Sequence, residues 1–85
     1  MNRMIIDVRE PIEFKMGHAR GAINIPLHKL IAGTEKLKGV PKDTELVLYC
    51  RTGSRSAVSM NILRSIGYSN LINGINKEQV KTRYL

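Results

Sequence analysis

The chain is short of several features that mark whole protein classes. Of its 85 residues one is cysteine, three are proline and none is tryptophan. A lone cysteine excludes an internal disulfide and a Cys-x-x-Cys redox pair. It points to a reducing compartment in which Cys50 is a free thiol. No apolar run approaches the roughly 20 residues that cross a bilayer. The N-terminus meets Asp7 too early to hold the apolar core of a secretory signal. The expectation is a cytoplasmic protein without membrane contact, or a periplasmic one if a leader was removed ahead of residue 1. No internal repeat, low-complexity tract or linker divides the chain, so one domain is expected over residues 1–85.

Acidic residues are scarce too. Seven Asp and Glu stand against fourteen Lys and Arg, a formal net charge of +7. Such an excess suits a nucleic-acid partner, but here the basic residues are spread from Arg3 to Arg83 without a dense run. The few aromatic residues (Phe14, Tyr49, Tyr68 and Tyr84) do not interleave with them. No nucleic acid is therefore expected, and the charge is read as drawing in small anions. His18, His28 and Cys50 lack the paired spacing of metal ligands, so neither a metal nor a cofactor is expected.

What the chain does have is an alternation of strand and helix patterns. Residues 4–8 read as a buried strand. Glu10-Pro11 opens a short helix, with Glu13 at its positive end, Phe14 as its core contact and Gly17 as its stop. Residues 22–25 form a second strand between Gly21 and Pro26. Leu27, Leu30 and Ile31 then fall at helical spacing up to Gly33. Residues 36–43 form a surface connection. Residues 46–49 are a near-continuous apolar run, as in a parallel strand covered on both faces. Residues 56–66 give the clearest helix, with Val58, Ile62 and Ile66, joined by Leu63, as the expected buried stripe and Gly67 closing it. Residues 70–72 make a last strand, Asn73-Gly74 a turn with positive φ, and residues 76–83 a terminal helix. This order implies an α/β fold with a small parallel sheet, helices on both faces and ligands at the carboxyl ends of the strands.

Cys50 sits at such an end. After it comes Arg51-Thr52-Gly53-Ser54-Arg55-Ser56, a loop that turns straight into a helix. The thiolate, not the thiol, is the nucleophile. Three features favour the thiolate: the positive end of the following helix, the unpaired N–H groups of residues 51–55, and the charges of Arg51 and Arg55. Gly53 lets the loop curl, and Ser54 and Ser56 offer hydroxyls. Cysteine phosphatases cradle phosphate with Cys-x5-Arg, whereas here the sixth position after Cys50 is Ser56. The loop is one residue short of that cradle and suits a smaller cargo, such as one extra sulfur on Cys50.

Four ordered stretches resemble the single-domain rhodanese (thiosulfate sulfurtransferase) family. They are Ile5-Ile6-Asp7-Val8-Arg9-Glu10, Phe14-x-x-Gly17-His18-Ala19-Arg20-Gly21-Ala22-Ile23-Asn24-Ile25-Pro26, Tyr49-Cys50-Arg51-Thr52-Gly53-Ser54-Arg55-Ser56 and Leu63-x-x-x-Gly67-Tyr68. Together they span about residues 4–75. The chain departs from the pattern in having Asn73-Gly74 where the family has Gly-Gly, and in lacking a tryptophan after it. The family's segment before the first strand is also mostly absent, so an N-terminally trimmed form of the fold is expected.

The resemblance implies that Cys50 takes sulfane sulfur from thiosulfate or another small anionic donor and passes it to cyanide or a thiol, through a persulfide held by residues 51–56. It implies support from Asp7 and Arg9, with Asp7 accepting hydrogen bonds that fix the loop, and a structural rather than acid–base role for His18, beside the second strand. Two other readings stay open at this stage. One is a non-catalytic persulfide carrier or docking module working with a protein partner. The other is a phosphatase or arsenate reductase on the same fold, against which the short loop argues. All the transfer readings require an acidified thiol: titration of thiolate ultraviolet absorbance is expected to place Cys50 below the ~8.5 of a free cysteine, and an unshifted or raised value would defeat them.

Overall fold

The structure is a computed structural model and describes residues 2–85. Strands β1 (Arg3–Asp7), β2 (Ile23–Asn24), β3 (Glu45–Cys50) and β4 (Leu71–Asn76) alternate with helices α1 (Pro11–Lys15), α2 (Leu27–Ala32), α3 (Ser54–Ser65) and α4 (Lys77–Tyr84). A 3-10 turn, Glu35–Leu37, lies within the connection between α2 and β3 and buries Leu37. The strands form one sheet in the order β2-β1-β3-β4, and every pairing is parallel. The chain leaves β1 toward one edge and β3 toward the other. The carboxyl ends of these two central strands therefore flank the switch point at which such sheets open a crevice. Asp7 ends one and Cys50 the other.

The period of two along a strand divides the side chains between two cores. Ile6, Val8, Leu46, Leu48 and Cys50 pack on one face with Ile25, Leu30, Leu37, Leu63 and Tyr68. Ile5, Val47 and Tyr49 pack on the other with Ala19, Ala22 and Val80, flanked by Phe14. Cys50 thus points toward α2 and α3, while its neighbour Tyr49 points toward α1 and α4. Glu10 and Glu13 form a reciprocal capping box on α1, and Asn76 caps α4 by accepting from Gln79 N at 2.9 Å.

Two sequence expectations are corrected. Helix α3 buries a different face from its apolar stripe. Val58 is 47% and Ile66 42% exposed, and the buried residues are Ser56, Ser59 and Leu63, with Met60 packed beside them. The helix begins at Ser54 and must place its first turn against Cys50. Small serines allow that approach, and Ser59 meets its hydrogen-bonding need by donating to Arg55 O at 2.8 Å.

The Asn73-Gly74 pair is not a turn after the last strand, because β4 runs through it to Asn76. Leu48 pairs with Asn73 and Tyr49 with Ile75, so Gly74 is the extra residue of a bulge. The positive φ falls on Ile75 at 72°. Gly74 is needed for space instead: a Cβ there would lie 2.6 Å from Val80 Cγ2, 3.0 Å from Val47 Cγ1 and 3.3 Å from Leu48 O. None of these is the end of a flexible chain. Gly74→Ala is expected to destabilise the fold by about 1–3 kcal/mol, read as a lower urea midpoint with an unchanged slope.

Candidate active site

Residues 50–56 fold back over the thiol. The Cys50 residue is 2% exposed. Gly53 takes φ 93°, a left-handed conformation open to glycine, which aims its N–H at Cys50 Sγ at 3.1 Å. Ser56 Oγ stands 3.6 Å from the sulfur and 3.1 Å from Gly53 O. Burial pushes the Cys50 thiol up, but the N–H and hydroxyl of Ser56 and the N–H groups of Thr52 and Gly53 pull it further down, and the net shift is below the ordinary thiol value. Thr52 and Ser54 are exposed, with their hydroxyls 3.2 Å apart. Arg51 is exposed and forms no hydrogen bond or ion pair with the described residues.

The charge of Arg55 acts on Cys50, as expected, but its side chain is tied elsewhere. Its guanidinium grips the Glu13 carboxylate of α1 with both nitrogens, at 2.6 and 3.2 Å. The bond holds Arg55 above its usual value, and a Cys50 thiolate adds to that hold. In return the Arg55 hydrogen bond lowers Glu13 to about 2. The loop is tied to α1 through this pair.

Asp7 and Arg9 are placed differently from expectation. Asp7 is fully buried and accepts no hydrogen bond from residues 51–56. It receives Arg9 N at 2.9 Å, Arg9 Nε at 3.0 Å and Arg9 Nη2 at 2.7 Å, together with the Tyr49 hydroxyl at 2.8 Å. Arg9 Nη2 also donates to Gly17 O at 2.7 Å, and Tyr49 Oη accepts from Ala19 N at 3.0 Å. Asp7 therefore braces the far side of β3, one residue before Cys50, because the strand alternation turns Tyr49 away from the thiol. Burial, with the Asp7 carboxylate adding to it, pushes Tyr49 up to about 12, so its hydroxyl stays a donor. His18 is exposed at the end of α1 rather than packed beside β2; it stacks on Phe14 with ring centres 3.7 Å apart, and its Nδ1 lies 2.9 Å from Phe14 O. Among the described residues no group of three or more His, Cys, Asp or Glu side chains is placed to hold a metal. A cavity of about 630 Å³ lies between α4 and residues 17–20, and no residue of the 50–56 loop lines it.

Comparison with known proteins places the chain that carries this thiol and loop in a family. The family described as "Rhodanese-like domain" matches residues 1–78. The chain belongs to this family. A structure described as "rhodanese with anions from E. coli" superimposes on it with a TM-score of 0.80 at 31% identity, covering 91% of this chain and 89% of that one. The thiosulfate sulfurtransferase PspE of Escherichia coli is 37% identical over 80% of this chain and 64% of its own length. The probable adenylyltransferase/sulfurtransferase MoeZ of Mycobacterium tuberculosis is 41% identical over 80% of this chain but only 17% of its own length. The chain thus spans less than two thirds of these curated relatives.

Three residues of this rhodanese-like domain carry site geometry that sequence reasoning passed over. Glu13 reads as a helix-dipole residue, Tyr49 as one more apolar strand residue, and Asn73 as a turn former. The usable signals are a hydroxyl-bearing residue inside an apolar run, and an asparagine where the family places glycine. The Glu13–Arg55 tie has a signature in acid. Because Glu13 titrates near 2 in the folded chain, its stabilisation is complete above the unfolded value of about 4.3 and is lost as pH falls from there toward 2. Glu13→Gln is expected to flatten that limb of the stability–pH curve and to leave its shape above pH ~5 unchanged, as read by urea unfolding across the range.

Proposed function

We propose that this chain is a sulfurtransferase that carries sulfane sulfur as a persulfide on Cys50. The observation that supports it best is the acidified thiol turned inward at the end of β3, with Gly53 N–H 3.1 Å from the sulfur, in a loop too short for a phosphate. The Cys50 thiolate attacks the outer sulfur of thiosulfate. A Cys50–sulfur bond forms, the donor's sulfur–sulfur bond breaks, and sulfite leaves with the electron pair. The persulfide keeps one negative charge, which the N–H groups of residues 51–56 hold. A thiolate or cyanide then attacks the outer sulfur and takes it, and Cys50 leaves as thiolate. Covalent catalysis splits one difficult transfer into two, and no general base is required once the thiol is ionised. Neither step needs a cofactor.

In this reading Cys50 is the nucleophile and the backbone and hydroxyls of Arg51, Thr52, Gly53, Ser54, Arg55 and Ser56 form the anion site. Asp7 and Arg9 support it from behind through Tyr49. The net charge of +7 and the exposed Arg51 favour a small anionic donor. Thiosulfate is proposed because PspE is named for it. One fact favours a second acceptor class: in MoeZ the matching stretch is less than a fifth of a larger adenylyltransferase/sulfurtransferase. A domain of this kind can also work with a protein that receives the persulfide sulfur.

Intact-mass spectrometry after incubation with thiosulfate tests the proposal. The wild-type chain is expected to gain the mass of one sulfur and to lose it on adding cyanide, while Cys50→Ser gains none and transfers sulfur at background rate. A folded wild type whose mass does not change with thiosulfate or with a protein persulfide would overturn it.

A further inference from the structure

The 50–56 loop is held from a third side, by β4. Asn73 Nδ2 donates to Gly53 O at 3.0 Å, Ser56 Oγ lies 2.6 Å from Asn73 Oδ1, and Ile75 N donates to that same oxygen at 3.0 Å. The Ile75 N–H can only donate, so the oxygen of the amide must face it, and the orientation of Asn73 is fixed. These bonds form where β4 breaks register with β3. Two of the three reach residues that themselves meet the nucleophile, since Gly53 N lies 3.1 Å and Ser56 Oγ 3.6 Å from Cys50 Sγ. Ser56 has one proton to give. Asn73 Oδ1 at 2.6 Å is a nearer acceptor than Gly53 O at 3.1 Å or the sulfur.

We propose that Asn73 is a positioning residue for the Cys50 nucleophile: its amide clamps residues 53–56 and orients the Ser56 hydroxyl, so that the loop N–H groups stay converged on the sulfur. Asn73 acts through Gly53 and Ser56 and does not touch Cys50. The inference rests on the reading of Cys50 as the sulfur-carrying nucleophile, but the thiol can be titrated without any transfer. Removing the amide frees the turn. Gly53 O loses its Nδ2 donor, the Gly53 N–H drifts from the sulfur, and the thiolate loses more there than the freed Ser56 proton restores, while the sulfur donor, held by the N–H groups that remain, binds much as before.

The test compares wild type with Asn73→Ala and Asn73→Asp. It uses thiolate absorbance and the pH dependence of iodoacetamide alkylation, with circular dichroism to confirm folding. In Asn73→Ala the Cys50 titration is expected to move up by about half a unit to one unit, the shift that a weakened hydrogen bond to a charged group gives. Persulfide formation at saturating thiosulfate is expected to slow by roughly 3–10-fold with KM within about 2-fold. Asn73→Asp keeps the acceptor for Ser56 and Ile75 but brings a negative charge toward the thiolate, and is expected to raise the titration further than alanine does. If both variants fold and titrate as wild type, Asn73 merely shapes β4 and the proposal is wrong, even if both melt at a lower temperature. A wild type that forms no persulfide would instead defeat the sulfur-transfer reading, while the titrations still decide the role of Asn73.

Discussion

A sulfur that is to ionise out of contact with bulk water must find its donors in its own loop. That constraint organises this molecule. Cys50 lies 2% exposed at the end of a central strand, where burial alone would keep it protonated. The compensating N–H groups converge because Gly53 takes a left-handed turn at φ 93°. The turn starts α3 at Ser54, directly over β3, and the closeness of that approach selects serines for the helix face that packs. A helix that looks amphipathic in sequence thus turns its apolar stripe partly to solvent, because the site, not the core, sets its rotation.

The cations around the thiol divide their tasks. Arg9 and Arg55 are each bound by a carboxylate, Asp7 and Glu13, and both pairs are structural ties. Arg9–Asp7 secures β1 and residue 17 to Tyr49; Arg55–Glu13 secures α1 to the loop. The free positive charge of the loop is Arg51, together with the backbone itself. The two loop arginines thus differ in kind: Arg55 acts on the thiol by charge while tied to Glu13, and Arg51 is exposed beside a set of aligned amides. Such a site stabilises charge by fixed geometry more than by mobile side chains.

Much of this was legible in the sequence. The alternation of apolar runs and helical spacing gave the element order, and the uninterrupted run at residues 46–49 marked a strand covered on both faces. Gly53 and the position of Cys50 located the loop. What escaped were features decided by tertiary packing. The spacing of Val58, Ile62 and Ile66 is sound, yet no sequence rule tells that Ser56 must be buried against a thiol. Asn73-Gly74 has the composition of a turn, and only the bulge against Leu48 and Tyr49 shows that glycine is there for want of room beside Val80 and Val47. Asp7 was correctly seen at a strand end but assigned to the wrong side, since its partner is chosen by which face Tyr49 takes.

The ties at the site also join distant parts of the chain. The hydrogen bonds from Tyr49 to Asp7 and from Arg55 to Glu13 each span 42 residues, and those between Asn73 and the loop span 17 and 20. Contacts of such separation form late, after the entropy of closing the intervening chain has been met. A chain in which α3 and β4 have not yet met lacks the donors that acidify Cys50. The hydrogen bonds around Cys50 therefore exist only with the finished sheet, and any loss of that sheet returns the thiol to its ordinary acidity.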